Sequence, residues 1–317
     1  MAIRNFNEET LTAEVLRRLA GTPDPRLKQV MTSMVKHLHA FVREVRPTQA
    51  EWFEGIKFLT ETGQWCDDKR QEFILMSDTL GVSMLVDFLN YGKVGSATES
   101  TVLGPFYVEG APELEHGASI VNPGTPGAPC VARCHVKDLQ GRPVAGAIID
   151  VWQAGGDGFY DVQKPDGTNL RARFRSAADG GFWFRCVKPD SYPVPHDGPV
   201  GKMLVATGRH PMRPGHLHFM IEAPGYEKLV THLFVKGDEY LDSDAVFGVK
   251  RSLIVDFAKT ADGGYALAYD FVLKPAGMRS TPKRRARAAA RRAPARKAGR
   301  ASGKTAGAAK RRVARKK

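Results

Sequence analysis

The hydrophobic pattern changes period near residue 92, and that change restricts the chain to a fold with two differently built parts. Upstream, apolar residues recur at three- and four-residue spacing, as amphipathic helices require; downstream, short runs are cut by Gly, Pro, Asp and Asn, as strands joined by turns require. Thr22-Pro23-Asp24-Pro25 interrupts the first part. After it, Leu27, Val30, Met31, Met34, Val35, Leu38 and Phe41 share one helical face that ends near Arg46-Pro47. Thr48 with Glu51 three residues on forms a capping-box signature for a helix carrying Trp52, Phe53, Ile56 and Leu59, and a further helix is predicted over Asp67 to Leu89. These stripes are read as core and dimer surface. In the second part, strands are predicted over Pro129 to Lys137, Ile148 to Gln153, Gly181 to Lys188, Gly215 to Ala223, Leu229 to Val235 and Leu253 to Lys259. Strands at such intervals make a sandwich.

The resulting expectation is an α+β chain: a helical domain over residues 1–92, a β-sandwich over 93–278, and a tail over 279–317. With 317 residues and 42% hydrophobic content, both domains can bury a core. The tail cannot, because beyond Met278 it is Ala, Arg, Lys, Gly and Pro with almost nothing apolar larger than alanine except Val313; disorder is expected there. It also carries the charge. Seventeen Lys or Arg and no Asp or Glu lie in 279–317, and subtracting them from the net +13 leaves −4 for residues 1–278. The mildly acidic body argues against nucleic-acid binding through the fold, while the arm alone could bind phosphate backbones non-specifically. No stretch reaches the roughly 18 apolar residues of a membrane span, and Met1 to Asn7 lacks the apolar region of a signal peptide, so a cytoplasmic protein is expected. Cys66, Cys130, Cys134 and Cys186 lack paired spacing and are read as reduced thiols, with the Cys130/Cys134 pair taken as packing in preference to a zinc site.

His216 and His218, in Arg213-Pro214-Gly215-His216-Leu217-His218-Phe219, are two apart on a predicted strand and so face the same way. That suits a metal, although the spacing alone fits a packed or solvent-facing pair as well. Tyr160 and Tyr192 sit in irregular settings, Gly158-Phe159-Tyr160-Asp161 and Asp190-Ser191-Tyr192-Pro193, which are poor contexts for core phenols.

Together with Leu103-Gly104-Pro105-Phe106-Tyr107 and Val151-Trp152-Gln153-Ala154, these motifs resemble the intradiol ring-cleavage dioxygenases, from about residue 10 to about residue 275. The resemblance implies one Fe(III) per subunit, held by Tyr160, Tyr192, His216 and His218. Phenolates are hard anionic donors that favour ferric iron, unlike the two-histidine, one-carboxylate set of Fe(II) oxygenases. It further implies that a diol binds the metal as a dianion and displaces Tyr192, that Arg213 stabilises negative charge building on the ring, and that O2 opens the ring to a diacid. His232 stands where catechol-cleaving members have glutamine. With Asp67-Asp68-Lys69-Arg70-Gln71-Glu72-Phe73, Ser77-Asp78-Thr79-Leu80-Gly81-Val82-Ser83 and Asp242-Ser243-Asp244-Ala245-Val246-Phe247-Gly248, it makes the chain resemble the hydroxyquinol-cleaving branch, which converts 1,2,4-trihydroxybenzene to 3-hydroxy-cis,cis-muconate, the enol of maleylacetate. Cleavage of catechol or a substituted catechol is the neighbouring alternative.

In that branch the substrate wall matches Leu75, Asp78, Val102, Leu103, Gly104, Pro105, Phe106 and Val246. Leu103 replaces an aromatic residue of some members. An Asp78 carboxylate facing the ring would accept a hydrogen bond from the third hydroxyl. The resemblance also implies a homodimer through the N-terminal helices, with an apolar tunnel that a phospholipid or the partner's own helix would fill. Two readings from other classes stand beside it: a nucleic-acid binder acting through the basic tail, and a metal-free binding module on the same sandwich.

Overall fold

In a computed structural model, residues 5–165 and 167–278 are described. The tail expectation for 279–317 lies outside the described residues. Five helices come first: α1 Leu11–Leu19, α2 Pro25–Val45, α3 Gln49–Gln64, α4 Glu72–Thr79 and α5 Val82–Asn90. Local chemistry sets the boundaries. Asp24 accepts from the Leu27 amide at 2.8 Å with Pro25 in the first turn of α2, and Arg46 ends that helix in the left-handed region. Thr48 and Glu51 form the reciprocal capping box that opens α3.

The single helix predicted over Asp67 to Leu89 is two. Gly81 adopts φ +72° between α4 and α5, a left-handed conformation that an α-helix cannot continue through. The α2 stripe also differs from the core reading. Val35 is buried, whereas Leu27, Val30, Met34, Leu38 and Phe41 are 44% to 59% exposed. In the isolated chain this face is therefore surface.

The second part is a sandwich of two sheets. Strands β1 Pro129–Asp138, β2 Ile148–Trp152, β3 Arg171–Arg175, β4 Gly181–Val187, β5 Tyr192–Pro193, β6 Met212–Arg213, β7 His216–Glu222, β8 Leu229–Val235, β9 Ile254–Val255, β10 Ala258–Lys259 and β11 Tyr265–Leu273 build it, with helix α6 Pro199–Ala206 between β5 and β6. One sheet has the order β10-β11-β1-β4 and the other β3-β2-β7-β8-β9, while β5 pairs with β6 alone. The predicted Leu253–Lys259 strand is divided: β9 joins β8 in one sheet and β10 joins β11 in the other, with buried Phe257 at the crossing. Strands β3, β5, β6 and β11 and helix α6 lie outside the strands and helices that the sequence predicts.

Phe174 stacks on Phe184 at 5.1 Å and Phe219 meets Phe271 at 4.7 Å, so the inner faces of the two sheets interdigitate into one core. Cys130, Cys134 and Cys186 are part of it, and all four cysteines are free thiols. The alternation along β7 decides where chemistry can occur. Leu217, Phe219 and Ile221 face the core, which leaves His216, His218 and Met220 on the outer face, also buried. Among the described residues no helix is long and apolar enough to cross a membrane.

Candidate metal centre

On that outer face the polar tips of four side chains close a ring. The Tyr160 and Tyr192 hydroxyl oxygens are 2.8 Å apart, Tyr160 Oη is 2.8 Å from His218 Nε2, the two histidine Nε2 atoms are 3.1 Å apart, and Tyr192 Oη is 3.4 Å from His216 Nε2. All four residues are buried.

Each arrives by a different route. His216 and His218 come from β7, and the backbone of Pro189 and Asp190 runs so close to Gly215 that a Cβ there would lie 2.6 Å from the Pro189 carbonyl oxygen. That close approach brings in the segment leading to Tyr192, whose short strand pairs with Arg213. Tyr160 lies on the loop after β2. It is held there by Gln163, which accepts from its amide at 2.9 Å, by Phe106 stacked at 4.5 Å, and by Asp161, which receives the buried Arg171 guanidinium. Trp152 stacks on His218 at 4.7 Å.

Burial pushes both phenols above the ordinary tyrosine value, Tyr160 well above it, and the Arg213 charge works against that rise at both. Burial also holds both imidazoles well below their ordinary value, with Arg213 adding to it. Burial thus favours the neutral form of all four donors. His216 Nδ1 lies 2.7 Å from the Pro214 carbonyl oxygen, to which it must donate, so the Nε2 lone pair points into the ring of tips, where Arg213 Nη1 reaches it at 3.1 Å.

This donor set fits a metal ion. A first-row cation bonded to neighbouring donors at about 2.0 Å holds them about 2.8 Å apart at a right angle and about 3.3 Å apart at a tetrahedral angle. The four observed separations span that range. A bound cation also offsets the cost of ionising buried phenols. Nitrogen and phenol-oxygen donors without thiolate match a hard, highly charged ion.

Arg213 is buried, and Asp244 receives its Nε at 3.0 Å and its Nη2 at 3.3 Å. Burial works against the guanidinium charge, and the Asp244 carboxylate outweighs it, raising the Arg213 pKa. Among the residues expected to wall a substrate, Leu75, Val102 and Val246 pack in one buried cluster with Met84 and Val200. Gly104 lies against His218, and Phe106 lies on Tyr160. The wall is divided between two cavities: Leu75, Pro105 and Phe106 line one of about 440 Å³, and Asp78, Val102, Leu103 and Gly104 line another of about 530 Å³. Leu103 is exposed, and Val246 lines neither cavity. Asp78 is buried on α4, and burial raises its carboxyl pKa, with Ser83 and Arg213 opposing.

Three residues around the centre had no assigned role in the sequence. Asp244 lies 31 positions from Arg213, and nothing local marks it as a counter-ion. Arg171, in a run of three alternating arginines, is buried against Asp161. His232, a branch marker only, joins His216 and His218 in a group whose nitrogen atoms lie within 4.8 Å of one another.

Residues 102–275 match the family described as Dioxygenase and residues 24–98 the one described as Catechol dioxygenase N terminus. The chain is 56% identical over 276 residues to a 6-chlorohydroxyquinol 1,2-dioxygenase of Cupriavidus pinatubonensis, covering 86% of this chain and 99% of that protein. It is 52% identical over 288 residues to a hydroxyquinol 1,2-dioxygenase of Nocardioides simplex, covering 87% and 98%. The crystal structure of a Pseudomonas putida hydroxyquinol 1,2-dioxygenase superposes with a TM-score of 0.79 at 50% identity, over 84% of this chain and 98% of the other. A helical N-terminal domain, a sheet-rich catalytic domain and these matches place the chain in the intradiol ring-cleavage dioxygenase family.

Proposed function

We propose that the protein is a hydroxyquinol 1,2-dioxygenase, cleaving 1,2,4-trihydroxybenzene between its adjacent hydroxyls to 3-hydroxy-cis,cis-muconate, with Tyr160, Tyr192, His216 and His218 holding one Fe(III). The observation that carries this reading is the closed ring of four buried tips at 2.8 to 3.4 Å, two phenols and two imidazoles. An Fe(III) ion there supplies a Lewis acid that draws electron density from a bound diolate and makes its ring carbon reactive toward O2. Tyr192, on the short strand β5, would be the ligand that a bound diol displaces, its Oη then taking a substrate proton. Arg213 keeps a fixed positive charge 3.1 Å from His216 Nε2 and so stabilises negative charge arising on the ring. Leu75, Val102 and Val246 exclude water from one side. Asp78 accepts from the third hydroxyl, a contact plain catechol lacks, which would favour the triol by about 1–3 kcal/mol.

A second copy of the chain covering the exposed α2 stripe is part of this reading, with or without a phospholipid in the contact. So is action in the cytoplasm, which suits four free thiols. The tail adds a secondary capacity for non-specific phosphate binding.

The test is O2 uptake and visible absorbance of the iron-loaded protein with 1,2,4-trihydroxybenzene and catechol in parallel. A red protein that turns over the triol faster, corrected for autoxidation, supports the proposal. Preference for catechol moves the enzyme to the neighbouring branch and removes the role of Asp78. A colourless protein that consumes no O2 refutes it.

A further inference from the structure

Strands β2, β7 and β8 set three aromatic side chains in one cross-strand row, with Trp152 opposite His218 and His218 opposite His232. His232 is fully buried. Its ring stacks on His216 with centroids 4.7 Å apart and planes 23° apart, and it meets His218 edge-on at 4.1 Å. Neither of its ring nitrogens has a hydrogen-bond partner of good geometry; the Val102 backbone offers one of them an acceptor only in poor geometry. The ring is held between the two histidines of the centre and the Val102 backbone.

A neutral imidazole carries one donor and one acceptor, and each left without a good partner in a buried site is destabilising. A phenylalanine or leucine would fill the same space without that cost. The four polar tips of the centre close their ring without His232, and its plane lies alongside that of His216 instead of converging with it. We propose that His232 is a substrate-binding residue: its imidazole hydrogen-bonds one of the two adjacent ring oxygens held at the centre. Asp78, on α4, instead meets the third hydroxyl. This assignment rests on the function proposed above. It separates the two residues by what they recognise, since the adjacent oxygens are common to catechol and the triol while the third hydroxyl is not.

The experiment is an anaerobic titration of iron-loaded protein with 1,2,4-trihydroxybenzene and with catechol, followed by the visible tyrosinate absorption. It compares the parent with His232→Phe, His232→Leu, His232→Gln and Asp78→Asn, and iron content is measured alongside. The expected result is that His232→Phe or His232→Leu retains iron and the resting absorption but binds both ligands about 5- to 150-fold more weakly. His232→Gln, which keeps a donor and an acceptor, binds within about threefold of the parent. Asp78→Asn weakens the triol alone. The inference is overturned if an apolar variant binds both ligands within twofold of the parent, because the ring then only packs. It is overturned equally if the triol alone is weakened, or if iron is lost from His232→Gln or from both apolar variants, which would make His232 part of the metal-holding set. A parent protein that binds neither ligand would overturn the function reading itself, a result distinct from all of these.

Discussion

Asp244→Asn is the substitution whose cost the structure fixes most closely. The Asp244 carboxylate receives Arg213 Nε at 3.0 Å and Nη2 at 3.3 Å, and it also accepts from the amides of Val246 at 3.3 Å and Gly248 at 2.9 Å. Both partners of the ion pair are buried. Asparagine keeps the shape, but it removes the counter-charge and turns one acceptor oxygen into a donor that faces two existing donors. Removing one partner of a buried pair costs about 3–5 kcal/mol, because the remaining charge is left uncompensated. That is a large share of the roughly 5–15 kcal/mol that separates folded from unfolded states of a typical protein. With a urea dependence of about 1–3 kcal/mol per molar, the unfolding midpoint should fall by at least about 1 M. The guanidinium would also lose its aim at His216 Nε2, and removing a pre-oriented donor of this kind costs roughly 100- to 1,000-fold in kcat. The assay is urea unfolding followed by circular dichroism, paired with steady-state turnover. An Arg213→Met/Asp244→Asn double variant should recover much of the stability, since no buried charge is left unpaired, while activity stays low. The reasoning is refuted if Asp244→Asn unfolds within about 0.5 kcal/mol of the parent, or if the double variant is less stable than Asp244→Asn alone.

The remaining predictions follow from single observations. Burial raises the Asp78 carboxyl above its ordinary 3.8, so its contribution to stability is fully present below that value and is lost as pH rises toward the folded value. Asp78→Asn should therefore be more stable than the parent at pH 7, with the gap closing as pH falls toward 4; a gap that widens on acidification contradicts this. Thr48→Ala breaks the capping box and should cost about 0.5–2 kcal/mol in thermal or urea unfolding, with no change in turnover. Leu38→Lys/Phe41→Lys, on the exposed α2 face, should shift the protein from dimer to monomer in light scattering, whereas an unchanged mass places the contact elsewhere. Truncation after Met278 should preserve ring cleavage and abolish salt-sensitive binding to polynucleotides, and loss of cleavage would give the tail a part in the enzyme.

Much of the site is legible in the chain because its signals are short-range. The starts of α2 and α3 follow from Asp24-Pro25 and from Thr48 with Glu51, which satisfy orphan amides within three residues. The common direction of His216 and His218 follows from the two-residue period of any strand. The alternation in His216-Leu217-His218-Phe219 already separates a polar face from a core face. What escaped the sequence depends on segments far apart along it. Strand β11 is bounded by Gly263-Gly264 and Pro275, but its interior place in the sheet is decided by β1, which pairs with it from more than a hundred residues upstream. The Asp244 counter-ion comes from the segment after β8 and buried Arg171 from β3, while the row from Trp152 through His218 to His232 exists only once β2, β7 and β8 are in register. Exposure of the α2 stripe is likewise decided by which neighbours pack on it, since periodicity marks an apolar face but cannot say what covers it. Residue types and local spacing determined the donors and their directions, while the pairing of distant strands decided that four of them meet within 3.4 Å and that a third imidazole lies beside them.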